Sequence, residues 1–173
     1  TVKLPNSMKR VGKYAFQGCE NLRTIDTKLK NDIYANKAFK GCKNLELRYA
    51  ETVDDNRFYK GNDDLTKIPR NDLPLFGKYG PEVEDIQQRR IGDCWMMGAL
   101  ASISYMKPEF IKNMIRENPE NHDLVDVTFQ RKLASGVFRK EVYTLTKSLF
   151  KVNGNDVMSA SENTIWVQMM EKA

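Results

Sequence analysis

Histidine is nearly missing from this sequence, with one residue at position 122, and cysteine occurs only at 19, 42 and 94. An odd number of cysteines argues against a disulfide scaffold, and the lack of a C-x2-C pair, with one histidine to join them, argues against a zinc site. Long apolar runs are absent too. The longest uncharged stretch, Cys94 to Met106, is 13 residues and includes Ser and Gly, short of the roughly 20 apolar residues a membrane-spanning helix needs. Thr1 is not preceded by a Met or a signal peptide, and Glu171-Lys172-Ala173 read as the interior of an amphipathic helix. The chain is therefore expected to be an internal piece of something longer.

What is present is ordinary for a globular chain: 173 residues, 40% hydrophobic and 29% charged, with a mean hydropathy of −0.60. That length allows one domain or two small ones. The net charge of +5 comes from the first third alone, since residues 1–60 carry 13 Lys/Arg against 7 Asp/Glu and the remainder 15 against 16. The basic residues are scattered, with no aromatic platform between them, so they read as a solvated face and not as a nucleic-acid surface.

Residues 15–22, Ala-Phe-Gln-Gly-Cys-Glu-Asn-Leu, and residues 38–45, Ala-Phe-Lys-Gly-Cys-Lys-Asn-Leu, share six identities at an offset of 23. A period of this size is that of a leucine-rich solenoid, in which each unit gives a short strand and a turn and buries its apolar positions against its neighbours. Phe16, Phe39, Leu22 and Leu45 are expected to point inward, Gly18 and Gly41 to permit sharp turns, and Cys19 and Cys42 to fill core slots one rung apart. The motif, with Leu4-Pro5 upstream, resembles the BspA-like leucine-rich repeats over about residues 1–50. Two units are fewer than a stable solenoid usually needs, which implies further repeats before Thr1.

Residues 51–74 lack sustained apolar periodicity and read as a linker rich in Asp, Asn, Gly and Pro. From Leu75 the pattern changes. Cys94–Met106 has the length of a helix buried on most sides, and Pro108 suits the first turn of a second helix reaching Arg116, with Phe110, Ile111, Met114 and Ile115 as its apolar stripe. Alternation in 125–130, followed by a β-rich run over 137–146, predicts an antiparallel hairpin. Ser159 and Glu162 form a capping-box pattern for a last helix with Trp166, Met169, Met170 and Ala173 on one face. The fold class expected for this part is α+β.

The chemistry gathers in Gln88-Arg-Arg-Ile-Gly-Asp-Cys94-Trp95. A cysteine opening a helix meets unpaired N–H groups and a positive dipole end, which stabilise a thiolate. Gln88, six residues upstream, can fold back so that its amide and the Cys94 N–H face one oxygen, as an oxyanion hole requires. The plainer alternative is a buried structural thiol with a surface glutamine beside it. Arg89 and Arg90 border the thiol, either as solvated charges or as contacts for acidic substrate residues or another domain.

Gln-x5-Cys-Trp with Gly-Asp before the cysteine, an Ala/Leu/Ser-rich helix after it, and the later segment from Trp166 to Glu171-Lys172-Ala173 resemble the calpain family of papain-like cysteine proteases across about residues 75–173. The resemblance implies the Cys-bearing lobe of a papain-like core, with Cys94 as nucleophile, Gln88 in the oxyanion hole and Trp95 packed behind the cysteine. It implies a general-base His and its Asn on a second lobe that this chain does not contain. His122, in the polar run 118–123, is expected to be a solvated loop residue. The resemblance also places Asp85 and the Gly80 loop where calcium-dependent members bind an ion, but Thr164 stands where those enzymes supply a glutamate, so calcium binding should be weak or lost.

The combined expectation is a cysteine endopeptidase that cleaves protein substrates through a thioester, with repeats that bind a partner or substrate and with no turnover by these 173 residues alone. The alternative is an adhesion or scaffold repeat protein with a non-catalytic calpain-like remnant. A transglutaminase-like acyl transfer would use the same chemistry. BspA-like repeats lean towards a surface or secreted setting, and animal calpains towards an intracellular one.

Overall fold

The computed structural model describes residues 1–5, 7–27, 37–50, 65–133, 138–159 and 161–173. Residues 51–64, most of the stretch read as a linker, lie outside the described residues. The chain forms two compact units, Thr1–Thr52 with Thr128–Thr144, and Val53–Val127 with Leu145–Ala173.

In the first unit, strands β1 (Val2–Lys3), β2 (Thr24–Thr27) and β3 (Glu46–Ala50) run parallel, with Val2 opposite Ile25 and Ile25 opposite Leu47. Each repeat supplies one short strand. Its alternate residues, Ile25 and Thr27 or Leu47 and Tyr49, are buried, as the two-residue period of a strand dictates. Phe39 and Leu45 are buried and Phe16 and Leu22 pack at the margin of the same core. Phe16 stacks on Phe39 with ring centroids 5.5 Å apart. The turns are stitched together by N–H donation from Phe16 to Ala38 O and from Gly18 to Lys40 O, each at 2.9 Å. Cys19 differs from expectation in being exposed, whereas Cys42 packs half-buried at the margin of the core with its Sγ donating to Phe16 O at 3.1 Å; both are free thiols. A left-handed glycine precedes each of them (φ +73° at Gly18, +87° at Gly41), as the expected sharp turns require.

The open edge of β3 is covered by β7 (Phe138–Thr146) in parallel, from Glu46 opposite Lys140 to Ala50 opposite Thr144. β6 (Leu124–Lys132) is the other neighbour of β7. The strands of the expected hairpin thus form, but residues 128–144 of it join the repeats and not the helices. A bare β3 edge would leave a row of backbone groups unpaired. The Glu46–Lys140 ion pair at 2.8 Å and the stacked rings of Tyr49 and Tyr143, 5.0 Å apart, complete the junction.

The second unit holds α1 (Cys94–Met106), α2 (Pro108–Met114), β5 (Ile115–Glu117), β4 (Leu65–Pro69), β8 (Ser148–Val152), β9 (Asn155–Asp156) and α3 (Trp166–Lys172). β5 pairs antiparallel with the start of β6, and β4, β8 and β9 form a small antiparallel sheet in that order. The mixture of helices and sheets is the expected α+β class. No helix among the described residues is long and apolar enough to cross a membrane.

Four local expectations are corrected. Only Met97, Leu100 and Ser104 of α1 are buried, because the helix offers a single stripe to its neighbours and leaves Tyr105 and Met106 exposed. α2 stops at Met114: β-branched Ile115 takes extended angles and begins β5, and Phe110 is exposed. α3 begins after Ile165 with no side-chain cap, so Ser159 and Glu162 form no capping box there. All seven α3 residues are buried, so the helix has no polar face. Finally, Leu65–Pro69, within the stretch read as a linker, pairs with β8 from Leu65 opposite Val152 to Pro69 opposite Ser148.

Candidate active site

Residues 86–93 have no regular structure of their own, so their course is set by what they touch. Arg90 N–H donates to Val157 O at 3.1 Å, and Gln87 N–H to Ser159 Oγ at 3.2 Å. Ile91 packs on a small apolar cluster of Phe150, Val152, Val157 and Met158. These anchors deliver the chain to Asp93, whose carbonyl accepts from Met96 N–H at 2.8 Å and Met97 N–H at 3.1 Å and so opens α1.

Cys94 is the first residue of that 13-residue helix and is exposed. The thiol stands at a helix start and is not buried, which sets aside the reading of it as a buried structural thiol. Gln88 is also exposed, and its Nε2 donates to Ile91 O at 3.0 Å inside the loop. The structure therefore places both residues on one short segment, with the glutamine side chain folded towards the helix start and bonded to its own backbone. Trp95 does not pack behind the thiol: it is 74% exposed. One residue advances a helix by about 100°, so Trp95 lies roughly 200° from Met97, on the side away from the buried stripe.

Asp93, next to the thiol, is only 8% exposed and does not cap the helix with its side chain. Its carboxylate lies against that of Glu171 from α3. Both Asp93 oxygens and Glu171 Oε1 are buried without a donor among the described residues, whereas Glu171 Oε2 accepts from Ser159 N–H at 2.7 Å. Burial, with Asp93 adding to it, pushes the Glu171 carboxyl up to about 8. A proton on Glu171 resolves the shortage of donors, because its O–H is what the Asp93 carboxylate lacks. Sequence reading missed this pair. Glu171 looked like one polar residue on an amphipathic helix, and only the burial of α3 on all sides shows otherwise.

The expected metal ligands are not arranged as a cage. Asp85 is buried in a short 3-10 turn, Val83–Asp85, where its Oδ2 accepts both Glu82 N–H at 3.2 Å and Trp166 Nε1–H at 2.7 Å. Gly80 has φ +97°, and the Lys112 side chain crowds it, with Nζ 3.3 Å from where a Cβ would stand. Thr164 is buried and offers a hydroxyl only. No group of three or more His, Cys, Asp or Glu that could hold a metal occurs among the described residues. Asp85 thus already serves two protein donors and an ammonium lies beside Gly80, whereas a calcium ion takes 6–8 oxygen ligands.

His122 is 82% exposed at its side chain and faces Glu117 Oε2 at 3.4 Å, in keeping with a solvated loop position. Arg89 and Arg90, with Asn155 and Asp156, line an open recess of about 480 Å³. Arg89 is tied to Gln87 Oε1 at 3.1 Å.

Comparison with protein families gives two matches. Residues 52–173 match the family described as calpain family cysteine protease, and residues 1–71 match the BspA type leucine rich repeat region. Neither the curated proteins nor the solved structures contain a match to the chain.

Proposed function

As the chain belongs to the calpain family of cysteine proteases, with BspA-type leucine-rich repeats at its start, we propose that it carries the nucleophile of a cysteine endopeptidase at Cys94. The observation that supports this most is the exposed thiol at the first position of α1, on the same short loop as the Gln88 amide.

In this reading the Cys94 sulfur attacks a peptide carbonyl carbon, and the carbonyl oxygen becomes an oxyanion. Two donors serve it: the first-turn N–H of Cys94, which has no partner within the helix, and Gln88 Nε2. An amide nitrogen carries two hydrogens. One goes to Ile91 O and fixes the side chain, leaving the other for the oxyanion. Collapse breaks the C–N bond and leaves a thioester on Cys94, which water then hydrolyses to free acid and thiol. Deprotonating the thiol and protonating the leaving amine need a general base. His122, exposed and paired with Glu117, is not placed for it, so the base and its Asn come from a second lobe, as the family resemblance implies. The repeats then serve as a binding surface for a protein partner or substrate. The chemistry needs no metal.

The test is to express the protein together with its second lobe and treat it with a peptidyl epoxide. Labelling and peptide hydrolysis both lost in Cys94→Ala support the proposal. Labelling unaffected by Cys94→Ala defeats it and favours the non-catalytic scaffold reading. The 173 residues alone are expected to show no turnover, and hydrolysis by them that survives His122→Ala would refute the missing-base argument.

A further inference from the structure

Two bonds of the second unit have no part in the catalytic scheme, yet they meet at Ser159, which one of them ties to the loop and the other to α3. Ser159 Oγ accepts from Gln87 N–H at 3.2 Å, and Ser159 N–H donates to Glu171 Oε2 at 2.7 Å. Glu171 in turn faces Asp93, the residue before the thiol. These contacts make a continuous path, Gln87 to Ser159 to Glu171 to Asp93, that joins both ends of the 88–94 loop to one buried side chain of α3. Ser159 is fully buried and Glu171 is 9% exposed, so the bond between them is shielded from water, whereas the Gln87 bond is part-buried.

We propose that Glu171, held by Ser159 N–H and buried against Asp93, is the positioning residue that fixes the Cys94 end of α1 relative to the Gln88 loop. The inference rests on the role proposed above for Cys94 and Gln88. The physical argument is donor arithmetic. Glu171 Oε2 is committed to Ser159 N–H, and the three remaining carboxyl oxygens are all acceptors. With both groups ionised, two like charges would share a dry site and repel. With one proton between them, an O–H···O⁻ bond closes the path, and bonds of that kind are short and strong. The neighbouring Lys172 directs its ammonium elsewhere, to Thr146 O at 2.9 Å and Ser148 Oγ at 2.8 Å. The charged group that bears on Glu171 is Asp93, and the remaining contact is the Ser159 N–H.

The proposal fixes which substitutions matter. Glu171→Gln is isosteric and keeps both bonds, because its carbonyl accepts from Ser159 N–H and its NH₂ donates to Asp93, but it has no proton to lose. Glu171→Ala removes both. The experiment uses the present chain, with two readouts across pH 6 to 10. One is amide exchange at Gln87 and Ser159, and the other is the iodoacetamide alkylation rate of Cys94 relative to Cys19 in the same molecule. Glu171→Ala should lower protection of the Ser159 amide about tenfold, and it should lower the Cys94-to-Cys19 ratio about threefold as the helix start loosens. Glu171→Gln should restore both, and it should abolish a break near pH 8 that the unsubstituted chain shows in the protection of the Ser159 amide. A Glu171→Ala chain indistinguishable from the unsubstituted one, or a Glu171→Gln chain that keeps the break, would overturn the proposal. Neither readout needs turnover, so a failed protease reading shows in hydrolysis alone and a failed positioning reading shows here.

Discussion

The indole N–H of Trp166 donates to Asp85 Oδ2 at 2.7 Å, joining α3 to the turn at the start of the loop that precedes Cys94 across 81 residues of sequence. Trp166 is fully buried and Asp85 nearly so, which makes the bond costly to lose. Asp85→Ala leaves the indole and the Glu82 N–H without an acceptor and is expected to destabilise the second unit by about 2–3 kcal/mol. Asp85→Asn, which keeps an acceptor, should cost less than half of that. Urea unfolding measures both, and a loss under about 0.5 kcal/mol for Asp85→Ala would contradict this assignment.

The same geometry sets the expectation for calcium. Asp85 is held by protein donors and Thr164 has no carboxylate, so millimolar calcium should leave the thermal midpoint unchanged, with or without chelator. A ligand that binds the folded state tightly raises that midpoint. A rise of several degrees that disappears in Asp85→Ala would show that an ion does bind here.

Two carboxyls give stability opposite dependences on pH. Glu171 is raised to about 8 by burial and then by Asp93, from an ordinary 4.5. The folded chain therefore keeps a proton that the unfolded chain has released. This contribution is complete below about pH 4.5 and declines as pH climbs to about 8. Glu117 is lowered by its hydrogen bond from Lys147 Nζ at 2.6 Å, so its contribution is present above about 4.5 and is lost as pH falls below that. Urea midpoints from pH 3 to 9 should peak in mildly acidic solution. Glu171→Gln should flatten the alkaline side only, and an unchanged alkaline side would contradict the assignment.

Gly18 and Gly41 occupy equivalent turns with positive φ, yet their surroundings differ. A Cβ at Gly41 would meet Gly18 N at 3.4 Å, whereas one at Gly18 would meet nothing within 4 Å. Both alanine variants carry backbone strain of about 1 kcal/mol, and the contact at Gly41 is at ordinary packing distance, so the two should lower the thermal midpoint of unfolding by similar amounts. A variant with an unchanged midpoint would contradict the left-handed strain assigned to its turn.

The repeat, the α+β class and the exposed thiol at a helix start were legible because each rests on local pattern: a recurring octet, alternating valines, a Gly-Asp before an uncharged run. What escaped was set by tertiary burial. α3 has a pattern that reads as one-faced, yet neighbours cover all of it, which turns Glu171 from a surface group into a buried acid. Trp95 and Phe110 look like core residues and are exposed, because α1 and α2 each bury a single narrow stripe. Residues 128–144 follow the repeats because the edge of β3 needs a partner, a demand that lies nowhere within residues 128–144 themselves. β8 and β9 did leave a local sign: Asn153-Gly154, both with positive φ, is a strong two-residue hairpin signal.

The chain supplies its own control for the central claim, because Cys19 and Cys94 are both exposed free thiols and only Cys94 opens a helix. Site-resolved iodoacetamide alkylation at neutral pH, read by peptide mass mapping, should find Cys94 modified about tenfold faster than Cys19, as expected for the more nucleophilic thiol of a helix start. Equal rates, or a faster Cys19, would contradict the placement of the nucleophile at Cys94.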